Sequence, residues 1–177
     1  MEEKIKPPFE LKIRKKERID DYIVVNIDAR IVGDKLNSDR IFIGIDPGVT
    51  NIGVAKIMPK KNMVLLHKLK FDRIDDAVQR MTSLTMFLHE RIYATGQEVL
   101  VVEGASYANP YRQVELAEAR AVMAMWGVKK GMDVKIVPPN TIRKVAFGSA
   151  KIKNPWEGIP DDCAAALGCA LYGYKTM

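Results

Sequence analysis

The sequence predicts an α/β fold: a mixed five-stranded sheet with helices on both faces, preceded by an N-terminal β-hairpin extension. Three observations carry that prediction. Short apolar, strand-like runs recur at about 41–46, 52–58, 63–71, 99–103 and 134–137. Two long segments, about 75–93 and 114–130, carry apolar residues at helical spacing. The first three runs follow one another across tight turns, as in an antiparallel meander, and the later ones alternate with helices.

In chain order, Phe9, Leu11 and Ile13 alternate with Glu10, Lys12 and Arg14, and Ile23, Val25, Ile27, Ala29 and Ile31 alternate with Val24, Asn26, Asp28 and Arg30. Both are period-two patterns, so residues 9–32 read as a hairpin with a charged tip, followed by a linker to Arg40. An isolated hairpin is marginal and needs something to pack on, which favours a role in extending the sheet or an interface over that of a free basic arm. Pro47-Gly48 and Pro59-Lys60-Lys61-Asn62 are the turns of the meander. The helix from about Asp75 to Tyr93 presents Ala77, Val78, Met81, Leu84, Leu88 and Ile92 on one face, with Gly96 beyond its end. The helix from about Val114 to Lys130 is apolar on more than one side, so one face is expected to cover the sheet and the second to be available to the same helix of another subunit. A short helix after Pro138 and a tightly packed one after Pro160 complete the chain.

Carboxylates end two of the strands and open the last helix. Asp46 closes Ile41-Phe42-Ile43-Gly44-Ile45, Glu103 closes Val99-Leu100-Val101-Val102, and Asp161-Asp162 precede Cys163-Ala164-Ala165-Ala166-Leu167. Taken singly, each has a plain structural use: Asp46 as an Asx cap of its turn, Asp161 or Asp162 as a helix N-terminal acid. Brought together by a sheet with helices packed on it, they form the hard oxygen cluster that Mg²⁺ or Mn²⁺ prefers.

Ile-Asp-Pro-Gly-Val-Thr-Asn-Ile-Gly-Val-Ala (45–55), Val-Val-Glu-Gly (101–104) and Pro-Asp-Asp-Cys-Ala-Ala-Ala-Leu (160–167), in that order, resemble the RuvC-type Holliday-junction resolvases of the ribonuclease-H-like superfamily. The resemblance runs from about 41 to 177, making 1–40 an extension and 41–177 a ribonuclease-H-like nuclease domain. It implies an endodeoxyribonuclease that resolves four-way junctions by paired symmetric nicks, acting as a homodimer. It further implies two Mg²⁺ per active site, with Mn²⁺ able to substitute, held by Asp46, Glu103 and Asp162, the last favoured over Asp161 by register. The ions would ionise a water for in-line attack and leave a 5′ phosphate. Lys151 or Lys153 would stabilise charge at the phosphorus or simply contact phosphate, and Tyr107 would stack on bases at the crossover. The family pattern carries a fourth acid three residues after the Asp of its last helix. In this chain that position is Ala165, one helical turn from Asp162 and on the same side, so a chain that binds its substrate but cuts it poorly is expected.

Composition agrees. The 177 residues suffice for one buried core and an appendage. No apolar run approaches the ~20 residues needed to cross a bilayer and the start lacks a signal peptide's apolar centre, so a cytoplasmic protein is expected. Cys163 and Cys169, six apart, fit neither a metal pair nor a disulfide framework and read as small core residues. Residues 110–153 hold nine Lys or Arg against three Asp or Glu, which accounts for the whole net charge of +6. Arg112, Arg143, Lys144, Lys151 and Lys153 are the candidate phosphate contacts in that stretch, although scattered lysines more often form a solvated face. His67 and His89 are given no catalytic role. Three rivals remain: an actin-like ATPase, which shares Asp-x-Gly-x-Thr but needs a second lobe and a second phosphate loop; an RNA-processing nuclease of the same superfamily; and a junction-binding protein that does not cut.

Overall fold

The computed structural model describes residues 9–17, 23–32, 36–70, 77–105 and 113–177. Seven strands, β1 (Glu10–Glu17), β2 (Ile23–Val32), β3 (Phe42–Asp46), β4 (Asn51–Met58), β5 (Met63–Lys70), β6 (Val99–Glu103) and β7 (Asp133–Val137), form one sheet in the order β1-β2-β5-β4-β3-β6-β7. The meander is antiparallel, whereas β3 pairs parallel with β6 and β6 with β7. The sheet is therefore mixed, with seven strands where five were expected. The reason lies in the hairpin. β2 pairs antiparallel with β5, so the extension satisfies an edge that the meander would otherwise leave open.

Four α-helices, α1 (Ala77–Arg91), α2 (Gln113–Lys129), α3 (Pro139–Phe147) and α4 (Asp161–Thr176), cover the two faces. On one face α3 and α4 pack Ile142, Phe147, Leu167, Cys169 and Leu171 against Phe42, Ala55, Leu66 and Val101. On the other, α1 and α2 pack Leu84, Leu88, Met123 and Trp126 against Ile43, Val54, Leu100 and Val102. Both cysteines are free and buried, as their spacing implied. Val78, expected on the buried face of α1, is instead 72% exposed, because the stripe that meets the core runs through Met81, Leu84 and Leu88. Within one chain α2 is buried on one side, the face expected to cover the sheet. Ala119, Met123, Trp126 and Gly127 are buried, while Val114, Met125 and Val128 form an exposed apolar flank.

Residues 148–160 contain no helix, consistent with the shortness of that stretch. They are instead tied down by a tryptophan. Trp156 is buried between Phe9 and Phe147, and its indole N–H donates to the Phe9 carbonyl at 2.9 Å, fastening the start of the hairpin to the loop that leads into α4. No helix among the described residues is long and apolar enough to cross a membrane.

Candidate active site

Pleating fixes which way the strand-end residues point. Asp46 lies opposite Gly53 on β4, and Gly53 lies opposite Lys68 on β5, so these three share one face of the sheet. Gly44 pairs with Val101, and Asp46 and Glu103 each lie two residues further along, on the same face as those partners. The end of the sheet thus presents a row: Glu103, Asp46, Gly53, Lys68.

α4 lies across that row because Gly53 within it and Gly44, two residues before Asp46 on β3, carry no side chain. A Cβ on Gly44 would stand 2.0 Å from the Ala166 carbonyl oxygen, and one on Gly53 would stand 1.9 Å from that of Asp162. The backbone of α4 therefore rests on the sheet itself, and its first turn delivers Asp162 above Gly53, between Asp46 and Lys68. The neighbouring acid is engaged elsewhere. Asn154 donates from Nδ2 to Asp161 at 2.9 Å and to the Ile159 carbonyl at 2.8 Å, latching the loop to the helix start. Asp162 faces the row, and Asp161 is exposed.

The electrostatics are those of crowded carboxyl groups. Burial pushes the Asp46 pKa well above the ordinary aspartate value, and the neighbouring charge of Glu103, a hydrogen bond to Glu103 and the charge of Asp162 push it the same way, with Arg143 opposing. Burial and the two neighbouring carboxyl groups therefore favour the protonated form of Asp46. Arg143 on α3 stands 3.9 Å from Glu103. Lys68 Nζ contacts Asp162 Oδ2 at 2.6 Å, both side chains being mostly buried. Arg120 on α2 feels both Asp46 and Glu103; burial lowers its pKa, and its Nε is buried with no hydrogen-bond partner among the described residues. Residues 162, 165 and 169 are spaced along one flank of α4. The thiol of Cys169 contacts the Ile45 carbonyl, and its pKa is raised by burial and by Glu103 and Asp46, so this flank looks onto the carboxylates. Ala165 sits midway along it, half-buried and without a donor atom.

Among the described residues no three His, Cys, Asp or Glu side chains stand together closely enough to hold a metal ion. Asp46 and Glu103 are joined, but Asp162 is turned to Lys68. The chemistry of the donor set still fits a hard divalent cation: two adjacent carboxyl groups, whose mutual repulsion raises the pKa of Asp46, are relieved when a cation binds between them.

The other sequence candidates are placed less centrally. Lys144 is exposed on α3, and Lys151 and Lys153 are exposed on the loop before α4. Among the described residues no ion pair joins these three lysines to the carboxylates. Tyr107 and Arg112 lie outside the described residues. His67 is structural: burial and the charges of Lys56 and Arg91 lower its pKa to about 4, and its Nδ1 pairs with Asn26 at 2.6 Å. Lys68 and Arg120 are the site residues that sequence reading missed. Strand alternation held the clue to Lys68, since it follows Val64 and Leu66 on the inward-facing side of β5.

The family model described as crossover junction endodeoxyribonuclease RuvC matches residues 42–155. That match spans β3 to the loop before α4 and includes neither the hairpin nor Asp162. Two curated relatives carry the same description. One, from Prochlorococcus marinus (strain MIT 9211), is 25% identical over 150 residues, covering 76% of this chain and 95% of the relative. The other, from Rhodopirellula baltica, is 22% identical over 164 residues, covering 82% and 92%. Among solved structures, Thermus thermophilus RuvC superposes with a TM-score of 0.60 at 20% identity, over 75% of this chain and 92% of that one. The same protein in complex with a Holliday junction substrate gives a TM-score of 0.56 at 20% identity, over 75% and 91%.

Proposed function

This chain belongs to the RuvC family of crossover junction endodeoxyribonucleases, and from that premise we propose that it binds four-way DNA junctions and nicks them with the help of a divalent metal, at a rate held down by Ala165. The observation that carries the proposal is the meeting of Asp46 and Glu103 on adjacent parallel strands, with Asp162 brought by α4 over Gly53, the neighbour of Asp46. Asp46, Glu103 and Asp162 are the residues that would hold Mg²⁺, or Mn²⁺ in its place. When bound, the metal supplies an ionised water and charge to stabilise the departing 3′ oxygen.

The chain's own residues do the rest. Arg143, beside Glu103, keeps that carboxylate in place and offers positive charge at the rim of the site. Lys144, Lys151 and Lys153 are exposed on the elements flanking α4 and are assigned to the phosphate backbone. Tyr107 and Arg112 retain their proposed roles in base stacking and phosphate contact. A homodimer is proposed because a four-way junction offers two equivalent strands, and the exposed flank of Val114, Met125 and Val128 on α2 is apolar surface of the kind an interface buries. Residues 1–40 are an addition to the nuclease domain at 41–177, and a cytoplasmic setting suits such an enzyme.

The test compares binding of a labelled four-way junction, linear duplex of the same sequence and a structured RNA on native gels across a salt series. Junction preference, with affinity falling steeply as salt rises, is expected. Equal binding of junction and linear duplex would refute the substrate assignment. Preference for the RNA would support an RNA-processing nuclease of the same fold. Ala165 favours one further reading, a junction binder that does not cut; binding without nicks in Mg²⁺ and Mn²⁺, even after Ala165→Asp, would establish it.

A further inference from the structure

We propose that Lys68 is a built-in cation that takes the place of a second metal ion, so that this centre holds one divalent ion, at Asp46, Glu103 and the second oxygen of Asp162, rather than two. The inference rests on the metal-dependent reading above and deepens it. Asp162 stands over Gly53, with Asp46 one strand away on one side and Lys68 one strand away on the other. Adjacent strands are roughly 4.8 Å apart, and the lysine side chain spans its share of that gap to place Nζ 2.6 Å from Asp162 Oδ2. Strand β5 fixes the origin of the side chain and burial restricts its reach: the two partners are 22% and 28% exposed.

Ligand supply points the same way. Two ions need a carboxylate between them and further acids on each side. Ala165 removes one acid from the flank of α4 that faces the row, and Lys68 already engages the acid that remains. Asp46 and Glu103, at the ends of adjacent parallel strands, are left with the free oxygen of Asp162 for a single ion, a carboxylate supply that one Mg²⁺ completes with water. Charge points the same way: Lys68, Arg143, Arg120 and one divalent ion already outweigh the charge of three carboxylates, and a second divalent ion would add two more positive charges beside the ammonium.

The experiment is a Mn²⁺ titration of the full chain without DNA, with free Mn²⁺ read by electron paramagnetic resonance. One ion per chain is expected for the natural sequence. Ala165→Asp alone is expected to stay at one, and Ala165→Asp combined with Lys68→Met to take two, the second at least about tenfold tighter than any second ion bound by Ala165→Asp alone. Two ions, or none, on the natural chain overturns the proposal whether or not either variant folds. So does a second ion bound equally well by the folded single and double variants. Junction binding is scored separately on native gels. One ion with no junction preference overturns the substrate assignment and supports the role of Lys68, whereas junction preference with two ions does the reverse.

Discussion

Replacing Gly53 by alanine tests whether α4 is set on the sheet by the absence of a side chain. The new Cβ would lie 1.9 Å from the Asp162 carbonyl oxygen, 2.4 Å from its carbonyl carbon and 3.0 Å from the Cys163 nitrogen. These are backbone atoms and cannot rotate aside, so the first turn of α4 must lift by about 1 Å, a strain of the overpacking kind that costs about 1–3 kcal/mol. A displacement of about 1 Å at a reacting centre costs on the order of 100-fold in rate, and Asp162 is the residue displaced. The control is Gly127→Ala on α2, where the Cβ meets side-chain atoms, Leu100 Cδ2 at 2.5 Å and Val134 Cγ2 at 2.8 Å, on the opposite face of the sheet. Urea denaturation should show both variants destabilised, while Mn²⁺ affinity should fall only for Gly53→Ala. A Gly53→Ala protein with natural stability and Mn²⁺ affinity would refute the reasoning, as would an equal loss of Mn²⁺ in Gly127→Ala.

Two further predictions follow from the same interactions. Because the folded state raises the Asp46 pKa above 3.8, the unfolded chain releases this proton first, so the carboxyl costs the metal-free fold stability as pH rises from about 4 towards its folded value. Asp46→Asn should therefore gain stability over the natural chain, with a gap absent below that range and widening above it; thermal midpoints measured across pH would contradict this if the gap stayed constant or narrowed. Trp156→Phe deletes the N–H that satisfies the Phe9 carbonyl. It should cost about 1–3 kcal/mol and speed amide exchange in β1 more than in β3, whereas unchanged exchange in β1 would show that the tryptophan does not anchor the hairpin.

Most of the fold was legible because its strands are short apolar runs closed by turn residues, and because α4 announces itself with Pro160 and two acids. The site was legible for a related reason. Asp46 and Glu103 end hydrophobic strands, so any parallel pairing of those strands had to bring them together. The remainder depended on register and packing, which composition does not encode. Lys68 became a site residue only through the pairing of β5 with β4, and that register is set across the turn at Pro59–Lys61, where Asn62 takes up a left-handed conformation. Arg120 looked like one more base on a mixed helix until burial placed its charge near Asp46 and Glu103. The sheet gained two strands over the expected five because a hairpin pattern does not reveal which edge it will join. On α2, apolar residues on two sides did not reveal which side the chain itself would cover; the described residues bury the one with Ala119, Met123 and Trp126.

The measurement that bears most directly on the central assignment is a nicking assay on a labelled four-way junction in Mg²⁺, with the natural chain and Ala165→Asp side by side on denaturing gels. Symmetric paired nicks, slow for the natural chain and faster for Ala165→Asp, are the predicted result. Equal nicking of junction and linear duplex, or no nicks from either protein despite junction binding, would contradict it.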